Sequence, residues 1–247
     1  MRKFVKVMVI LGLQYIMGMT AFAAEPGWFS MDGNVSQTFV NEADVEAAKI
    51  PASVLNYLSD AGWDFVITDK NLGRTFFPGL NSSVAGVTDF DGKIVYIEDR
   101  TSATSRAVLH EIGHAVDYEL GGMSLQQRFQ DIYVREKHAF RDTTSVGDGH
   151  EISSPTEYFA SAWSEFFMNP GRLKALTPDT YGIIQECAYQ MHEKCEIAVT
   201  DTEFNPEVYY WNYPDLQATI GYNPAALENH YYECGALEGR EASIELE

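Results

Sequence analysis

The sequence predicts an α+β fold with a small mixed sheet, helices that carry a candidate active site, and a small helical module at the C-terminus. Short alternating apolar segments precede residue 100, whereas apolar residues at helical spacing follow it. A length of 247 residues suffices for one domain with its own core and a small appendage. From Thr202 the composition becomes aromatic and rich in Asn-Pro pairs, which indicates a separate helical module over 202–247.

The first 24 residues have the form of a signal peptide. A basic start is followed by a mostly apolar run over 7–20, and Ala21-Phe-Ala23 has the small-x-small form that signal peptidase accepts. A membrane anchor is the alternative, but Gln14 and two glycines interrupt a run that is short for a bilayer. We therefore expect a secreted, extracellular protein without a membrane span after cleavage.

The segment before the main helix contributes the sheet. Residues 25–48 are polar and weakly periodic, so we expect a loosely ordered N-terminal arm. Pro51 begins a short amphipathic helix, and residues 63–68 alternate as a strand does. Two further strands, 84–90 and 93–97, flank Asp91-Gly92, which is typical of a two-residue hairpin turn.

The main helix carries a metal-binding motif. His110-Glu-Ile-Gly-His114 places two imidazoles four residues apart on one helix face, where both reach one zinc ion, and Glu111 lies beside the water that the metal binds. An apolar stripe over 108–116 supports the helix, and Gly121-Gly122 ends it. This pattern predicts a zinc hydrolase.

Three more helices follow within the predicted domain 49–200. Ser124 begins a helix that fades near Phe140, Ser154-Pro155 caps the next, and Thr177-Pro178 caps one that runs to about Met191. Two of the three cysteines, Cys187 and Cys195, are eight residues apart, so a disulfide between them requires the last helix to end in the interval. The residues leave that pairing open.

A catalytic zinc needs a third protein ligand from elsewhere in the chain. A metzincin ligand set is excluded, because that class needs Gly at the position of Asp117 and His or Asp at that of Leu120. Asp179 is better explained as a first-turn acid that stabilises a helix start. The remaining acids are Glu136, Glu151, Glu157 and Glu165. Glu157 is preferred because it begins an aromatic helix that we expect to pack on the zinc helix, although a capping-box role would explain it as well.

The two strings His110-Glu-Ile-Gly-His-Ala-Val-Asp117 and Ser154-Pro-Thr-Glu-Tyr-Phe-Ala160 together resemble the metalloprotease domain of the anthrax lethal factor type, a family that includes clostridial Pro-Pro endopeptidases. The resemblance covers roughly residues 50–185 and implies a zincin-like fold. It implies zinc ligation by His110, His114 and Glu157, with Glu111 as the general base.

Two positions depart from the family pattern. Seven residues before the ligand Glu the family has a Tyr that donates to the reaction's oxyanion, and here that position is His150. Four residues after the ligand the family often has an acid, and here it is Ser161. The resemblance therefore implies that His150 is a catalytic donor, and an exposed loop residue beside Gly149 is the alternative. Asp117, one turn past His114, is a candidate acceptor for a ligand histidine, or a solvated helix acid.

The function that these observations predict is a secreted, zinc-dependent endopeptidase of the gluzincin type acting on a protein or peptide, with strand 93–97 binding the substrate by strand addition. A net charge of −19 disfavours nucleic acid and anionic lipid as partners. Two alternatives are a surface-binding protein or adhesin whose protease domain has decayed, and a zinc hydrolase of cell-wall peptides. The C-terminal segment, with Tyr209-Tyr-Trp-Asn-Tyr-Pro-Asp-Leu216 and His230-Tyr-Tyr-Glu-Cys-Gly-Ala-Leu-Glu-Gly-Arg240, is similar to a helical module of exported Firmicutes proteins. Its aromatic residues suit stacking on cell-wall polysaccharide and thus contact with the cell wall or surface, but a small core explains them, and His230, equally well.

Overall fold

The computed structural model describes residues 27–79, 84–100, 104–141, 149–195 and 204–243. The predicted signal peptide, 1–24, lies outside the described residues. The strands are β1 (Phe29–Asp32), β2 (Asp64–Thr68), β3 (Gly86–Asp89) and β4 (Ile94–Glu98). The helices are α1 (Gln37–Ala47), α2 (Ala52–Asp60), α3 (Leu72–Phe76), α4 (Thr104–Glu119), α5 (Gln127–Arg141), α6 (Pro155–Met168), α7 (Pro170–Leu176), α8 (Pro178–Lys194), α9 (Pro206–Asn212), α10 (Pro214–Thr219) and α11 (Pro224–His230).

The four strands form one mixed sheet, which confirms the predicted fold class. Their order is β1-β2-β4-β3, with β1, β2 and β4 parallel and β3 antiparallel to β4. The expectation that strand 93–97 is an exposed edge is wrong, because β2 pairs with the other side of β4. Among the described residues, β3 is the edge strand that lies beside the zinc-motif helix α4.

The connection between β3 and β4 also differs from the prediction. Four residues, 90–93, join the strands instead of a two-residue turn, and the residue with positive φ is Lys93 at 51°. The Asp89 carboxylate accepts hydrogen bonds from the backbone N–H groups of Asp91 and Gly92, at 3.1 and 3.2 Å. Such a side-chain turn replaces the backbone geometry that the Asp-Gly pair predicted.

The expectation of a loosely ordered arm over 25–48 is wrong for the part that the structure describes. β1 pairs in parallel with β2, and α1 packs on α4. The buried side of α1 consists of Phe39, Val40, Ala43 and Ala47. This stripe is helical in spacing but short, and polar residues surround it, which is why the sequence pattern was weak.

The C-terminal helices confirm the predicted caps but share the core of the preceding domain. The side chains of Asn205 and Asn223 accept from backbone N–H groups in the first turns of α9 and α11. Buried aromatic residues of α9 join the main hydrophobic core, and Trp211 stacks on His192 of α8 with ring centroids 4.9 Å apart. His230 Nδ1 lies 2.9 Å from the Tyr209 hydroxyl, in agreement with a core role. The domain limits at 200 and 202 stay predictions.

The structure also bears on the possible disulfide between Cys187 and Cys195 and on membrane spans. Helix α8 continues from Cys187 to Lys194, immediately before Cys195, which keeps the two residues too far apart to bridge, and Cys187 forms no disulfide. Within the described parts of the chain, no helix combines the length and apolar character that crossing a bilayer requires.

Candidate metal centre

Helix α4 and helix α6 approach each other closely at the motif glycine. A Cβ atom on Gly113 would lie 3.0 Å from the Ala160 Cα and 3.1 Å from the Trp163 Cβ, both on α6. Contacts this short leave no space for a larger residue, so Gly113 lets the two helices touch. The contact places the first turn of α6 opposite His110 and His114.

The start of α6 is fixed by its cap. The Ser154 hydroxyl accepts the backbone N–H of Glu157 at 3.1 Å, and Pro155 occupies the first turn. The Glu157 carboxylate does not turn back to the cap but contacts the two motif histidines. The structure thus separates the two roles that the sequence left open, with Ser154 as the cap and Glu157 free to act as a ligand.

Three side-chain atoms converge at this point. His110 Nε2 lies 3.1 Å from Glu157 Oε2 and 3.1 Å from His114 Nε2, and the third side of the triangle, His114 Nε2 to Glu157 Oε2, is 3.6 Å. Ligands of a tetrahedral zinc at about 2.0–2.1 Å are separated by about 3.3 Å. Two nitrogens and one carboxylate oxygen at this spacing fit a zinc ion, and they form a potential metal-binding group within the described residues.

The charges of the site favour a cation. Burial opposes ionisation of Glu157, but its contacts with His110, His114 and His150 outweigh burial and hold its pKa well below the ordinary value. Burial likewise opposes charge on His114, but the hydrogen bond to Glu157 and the charge of Glu111 raise the pKa of this histidine. The carboxylate is therefore ionised at neutral pH and available to a metal ion.

The structure also brings His150 to this cluster. His150 lies in a turn of 3₁₀ helix, His150–Ile152, just before α6, and its Nε2 is 3.0 Å from Glu157 Oε2. Its ring centroid is 6.2 Å from that of His110, and its side chain is 64% exposed. His150 therefore lies at the solvent side of the site, where an incoming ligand would meet it.

Glu111 is held by the edge strand. Its Oε2 accepts a hydrogen bond from the Thr88 hydroxyl at 2.7 Å, and a Cβ atom on Gly86 would lie 2.5 Å from the Glu111 Cγ. Gly86 thus leaves the space that the side chain of Glu111 occupies, and Thr88 orients its carboxylate. Neither Gly86 nor Thr88 was predicted from the sequence as a site residue, although strand alternation places 86 and 88 on the same face of β3.

The two motif histidines differ in the hydrogen-bond partners of their Nδ1 atoms. His110 Nδ1 lies 3.3 Å from the Ser161 hydroxyl, so Ser161 provides an acceptor where the family often has an acid. His114 Nδ1 is buried without a hydrogen-bond partner among the described residues. Asp117 does not supply one; its carboxylate accepts instead from the backbone and side chain of Ser124, where it fixes the turn after α4.

The other candidate acids lie outside the cluster. Glu136 accepts from the backbone and hydroxyl of Thr180 at the start of α8, and Asp179 pairs with Arg135 at 2.7 Å. Glu165 accepts from the Asn169 amide at 3.0 Å, and Glu151 is buried in the turn beside His150. Of the acids considered from sequence, Glu157 is the one that joins the histidines.

Comparison with known proteins agrees with the geometry. Residues 80–187 match the family model described as anthrax toxin lethal factor, N- and C-terminal domain. The solved structure of the Pro-Pro endopeptidase PPEP-2 from Paenibacillus alvei is similar with a TM-score of 0.51 and 23% identity, over 64% of this chain and 96% of that one. No curated protein gives a significant match. The structural similarity confirms the predicted fold, and the family match confirms the resemblance to lethal factor-type metalloproteases and supports a metalloendopeptidase.

Proposed function

We propose that this lethal factor-like domain is an exported, zinc-dependent endopeptidase of the gluzincin type, with His110, His114 and Glu157 as the metal ligands. The observation that carries the proposal is the triangle of two imidazole nitrogens and one ionised carboxylate oxygen, with sides of 3.1, 3.1 and 3.6 Å. Three protein ligands leave one position for water, as hydrolytic zinc sites require.

The residues around the triangle supply the acid–base chemistry. Zinc, when bound, acts as a Lewis acid toward water and the scissile carbonyl. Glu111 follows the first ligand on α4, and its carboxylate accepts the proton of the attacking water and then delivers it to the leaving amine. In this proposal the exposed His150 imidazole, whose Nε2 lies 3.0 Å from Glu157 Oε2, donates a hydrogen bond to the carbonyl oxygen as negative charge develops there.

The edge strand offers a place for the peptide. The backbone N–H of Glu98 in β4 donates to the Ala85 carbonyl, so Ala85 and Glu98 form a hydrogen-bonded pair. Hydrogen-bonded and non-hydrogen-bonded pairs alternate along an antiparallel ladder, so the backbone N–H and C=O groups of Gly86 and Thr88 point away from β4. A peptide that pairs with this free edge passes directly beside Glu111, since Thr88 contacts that residue. The substrate class is therefore an extended protein or peptide segment.

The proposal is tested by metal analysis and hydrolysis together. Mature protein purified without chelator is expected to contain about one zinc per chain and to cleave members of a random peptide library, and chelator removes both properties. Glu111→Gln keeps the side-chain size but loses the base, so it retains zinc while hydrolysis falls by several orders of magnitude.

The alternatives give different results in the same assays. A zinc-loaded protein that cleaves no peptide but binds cell surfaces would indicate a decayed protease domain. Cleavage of wall peptides with none of linear peptides would indicate a wall hydrolase. A protein without zinc although both motif histidines are intact would overturn the proposal. Export is tested separately by detecting the processed chain, beginning near residue 25, outside the producing cells.

A further inference from the structure

Three aromatic rings form a partly exposed platform where β3 ends. Phe90 and Tyr118 stack with ring centroids 5.6 Å apart and planes 22° from parallel, and both are exposed, at 41% and 46%. Trp63 lies beneath them, 2% exposed, with its ring edge-on to both at 6.4 and 5.7 Å. We call Trp63, Phe90 and Tyr118 the aromatic platform.

Polar contacts fix the platform from behind. The Glu119 carboxylate accepts from Trp63 Nε1 at 2.9 Å and from Lys93 Nζ at 2.8 Å, and Lys93 also donates to the Ala61 carbonyl. The lysine lies 5.7 Å from the Tyr118 ring centroid, and its charge is balanced by Glu119. The rings of the platform are therefore fixed in position, and the surface around them carries no net charge. Such a surface suits a neutral, flat group.

The platform continues the substrate path along β3. Phe90 directly follows β3, and its stacking on Tyr118 places it on the side where Gly86 and Thr88 meet α4. Tyr118 is seven residues after Glu111, which is two helical turns and nearly the same face of α4. The general base and the platform therefore lie along one line between β3 and α4.

The spacing identifies which substrate residue reaches the platform. Two helical turns span about 10 Å, and an extended peptide advances about 3.3 Å per residue, which gives about three residues. β3 runs from Gly86 beside Glu111 toward Phe90, so a peptide that adds antiparallel runs from the platform toward Glu111. The residue over the platform is then about the third before the scissile bond.

We propose that the aromatic platform is a specificity subsite that binds an aromatic side chain about three residues N-terminal to the bond that is cleaved. This inference rests on the proposed endopeptidase function and deepens it by naming a feature of the substrate. Ring-on-ring contacts add to the burial of apolar area, and together they select an aromatic residue over alanine by about tenfold in kcat/KM.

The experiment maps cleavage sites in a random peptide library by mass spectrometry, followed by kinetics on paired peptides that differ by Phe or Ala at the third position. Wild-type protein is expected to enrich aromatic residues there. Tyr118→Ala and Phe90→Ala should lose the enrichment, and the tenfold Phe/Ala ratio of kcat/KM should fall to about one. Tyr189→Ala, an equally exposed aromatic on α8, is the matched control and keeps the preference.

The outcomes separate the two proposals. Cleavage without aromatic enrichment N-terminal to the scissile bond, or enrichment that survives Tyr118→Ala, overturns the subsite and leaves the endopeptidase intact. A zinc-loaded wild type that cleaves no peptide overturns the endopeptidase and the subsite with it. Binding of cell-wall polysaccharide that depends on Tyr118, without any effect of Tyr118→Ala on peptide selection, would assign the platform to sugar and also overturn the proposal.

Discussion

The Thr88 hydroxyl donates a 2.7 Å hydrogen bond to Glu111 Oε2 and lies 3.0 Å from the Glu111 carbonyl oxygen, so one strand residue contacts both ends of the candidate base. The edge strand that is proposed to bind substrate therefore also orients the group that is proposed to activate water. A peptide that shifts β3 would shift the carboxylate with it. Substrate binding and base alignment are thus physically linked in this fold.

Removal of this hydroxyl is expected to slow the chemical step. Thr88→Val keeps the shape but leaves Glu111 Oε2 without its donor, and one hydrogen bond to a charged group is worth about 1.5–3 kcal/mol. We expect kcat to fall about tenfold or more, with KM and zinc content near their wild-type values. Thr88→Ser should restore kcat because it returns the donor. A loss that appears in KM, or that Ser does not restore, would contradict the orienting role.

The proposed role of Glu157 as a metal ligand can be separated from its place in the first turn of α6. Glu157→Gln removes the charge that holds the metal, so zinc content is expected to fall at unchanged helix geometry. Ser154→Ala is the matched control, because it removes the hydroxyl that accepts the Glu157 N–H and costs about 1 kcal/mol of stability. Its zinc content should stay near one per chain. Metal analysis and melting curves on both variants decide the matter, and full zinc retention by Glu157→Gln would exclude it as a ligand.

A buried histidine is expected to make stability depend on pH. His192 Nδ1 lies 2.9 Å from the Ser53 hydroxyl, its ring stacks on Trp211, and Glu207 Oε2 is 3.8 Å away, too far for a hydrogen bond. Burial lowers the pKa of His192 from 6.5 to about 4. Above pH 6.5 the ring is neutral in both folded and unfolded chains, and below it only the unfolded chain takes up the proton. Stability should fall by roughly 2–3 kcal/mol between pH 6.5 and 4.

The matched variant for this effect is His192→Asn, which keeps an acceptor for Ser53 but does not titrate. It should be less stable at pH 7, and its unfolding free energy should decline less steeply than that of the wild type between pH 6.5 and 4. The difference between the two proteins cancels contributions from the ligand histidines and the carboxylates. Parallel slopes in denaturant unfolding would show that His192 does not titrate as its burial implies.

The sequence predicted the parts of the molecule that depend on local spacing. Helix α4, the cap at Ser154 and the proximity of His110 to His114 follow from residues a few positions apart, and Glu157 as the third member of the cluster followed from its place on a neighbouring aromatic helix. Long-range pairing was not readable in the same way. β1 becomes a strand by pairing in parallel with residues 36 positions away, and nothing in its own four residues requires that.

The same limit explains the error about the substrate strand. Strand 94–98 lies inside the sheet because β2 pairs with its second side. The sequence of the hairpin alone does not indicate that residues 64–68 pair with it. Gly86 and Thr88 could be placed on one strand face from sequence, but their contact with Glu111 depends on how β3 crosses α4. Features that arise from tertiary approach, including the aromatic platform, required the structure.

His150 occupies a position where the chain departs from the family pattern. The structure places His150 Nε2 3.0 Å from Glu157 Oε2, with the side chain 64% exposed, so the imidazole is within reach of a substrate at the proposed metal. Removal of one donor to a developing oxyanion typically costs about a hundredfold in kcat. We therefore expect His150→Ala to lower kcat about a hundredfold with zinc content unchanged, and His150→Tyr to keep most of the activity. His138→Ala, an exposed histidine on α5, is the control and should have no effect.

The contact with Glu157 gives His150 a second conceivable role, in holding the ligand carboxylate, and the measurements distinguish the two. If His150 positions Glu157, His150→Ala lowers zinc affinity and added zinc restores activity. If it is the oxyanion donor, the loss in kcat persists at saturating zinc. Histidines ordinarily titrate near pH 6.5 and tyrosines near 10, so the pH–rate profile of the Tyr variant should differ from that of the wild type near neutral pH. Identical profiles, together with a fully active Ala variant, would remove His150 from the chemistry.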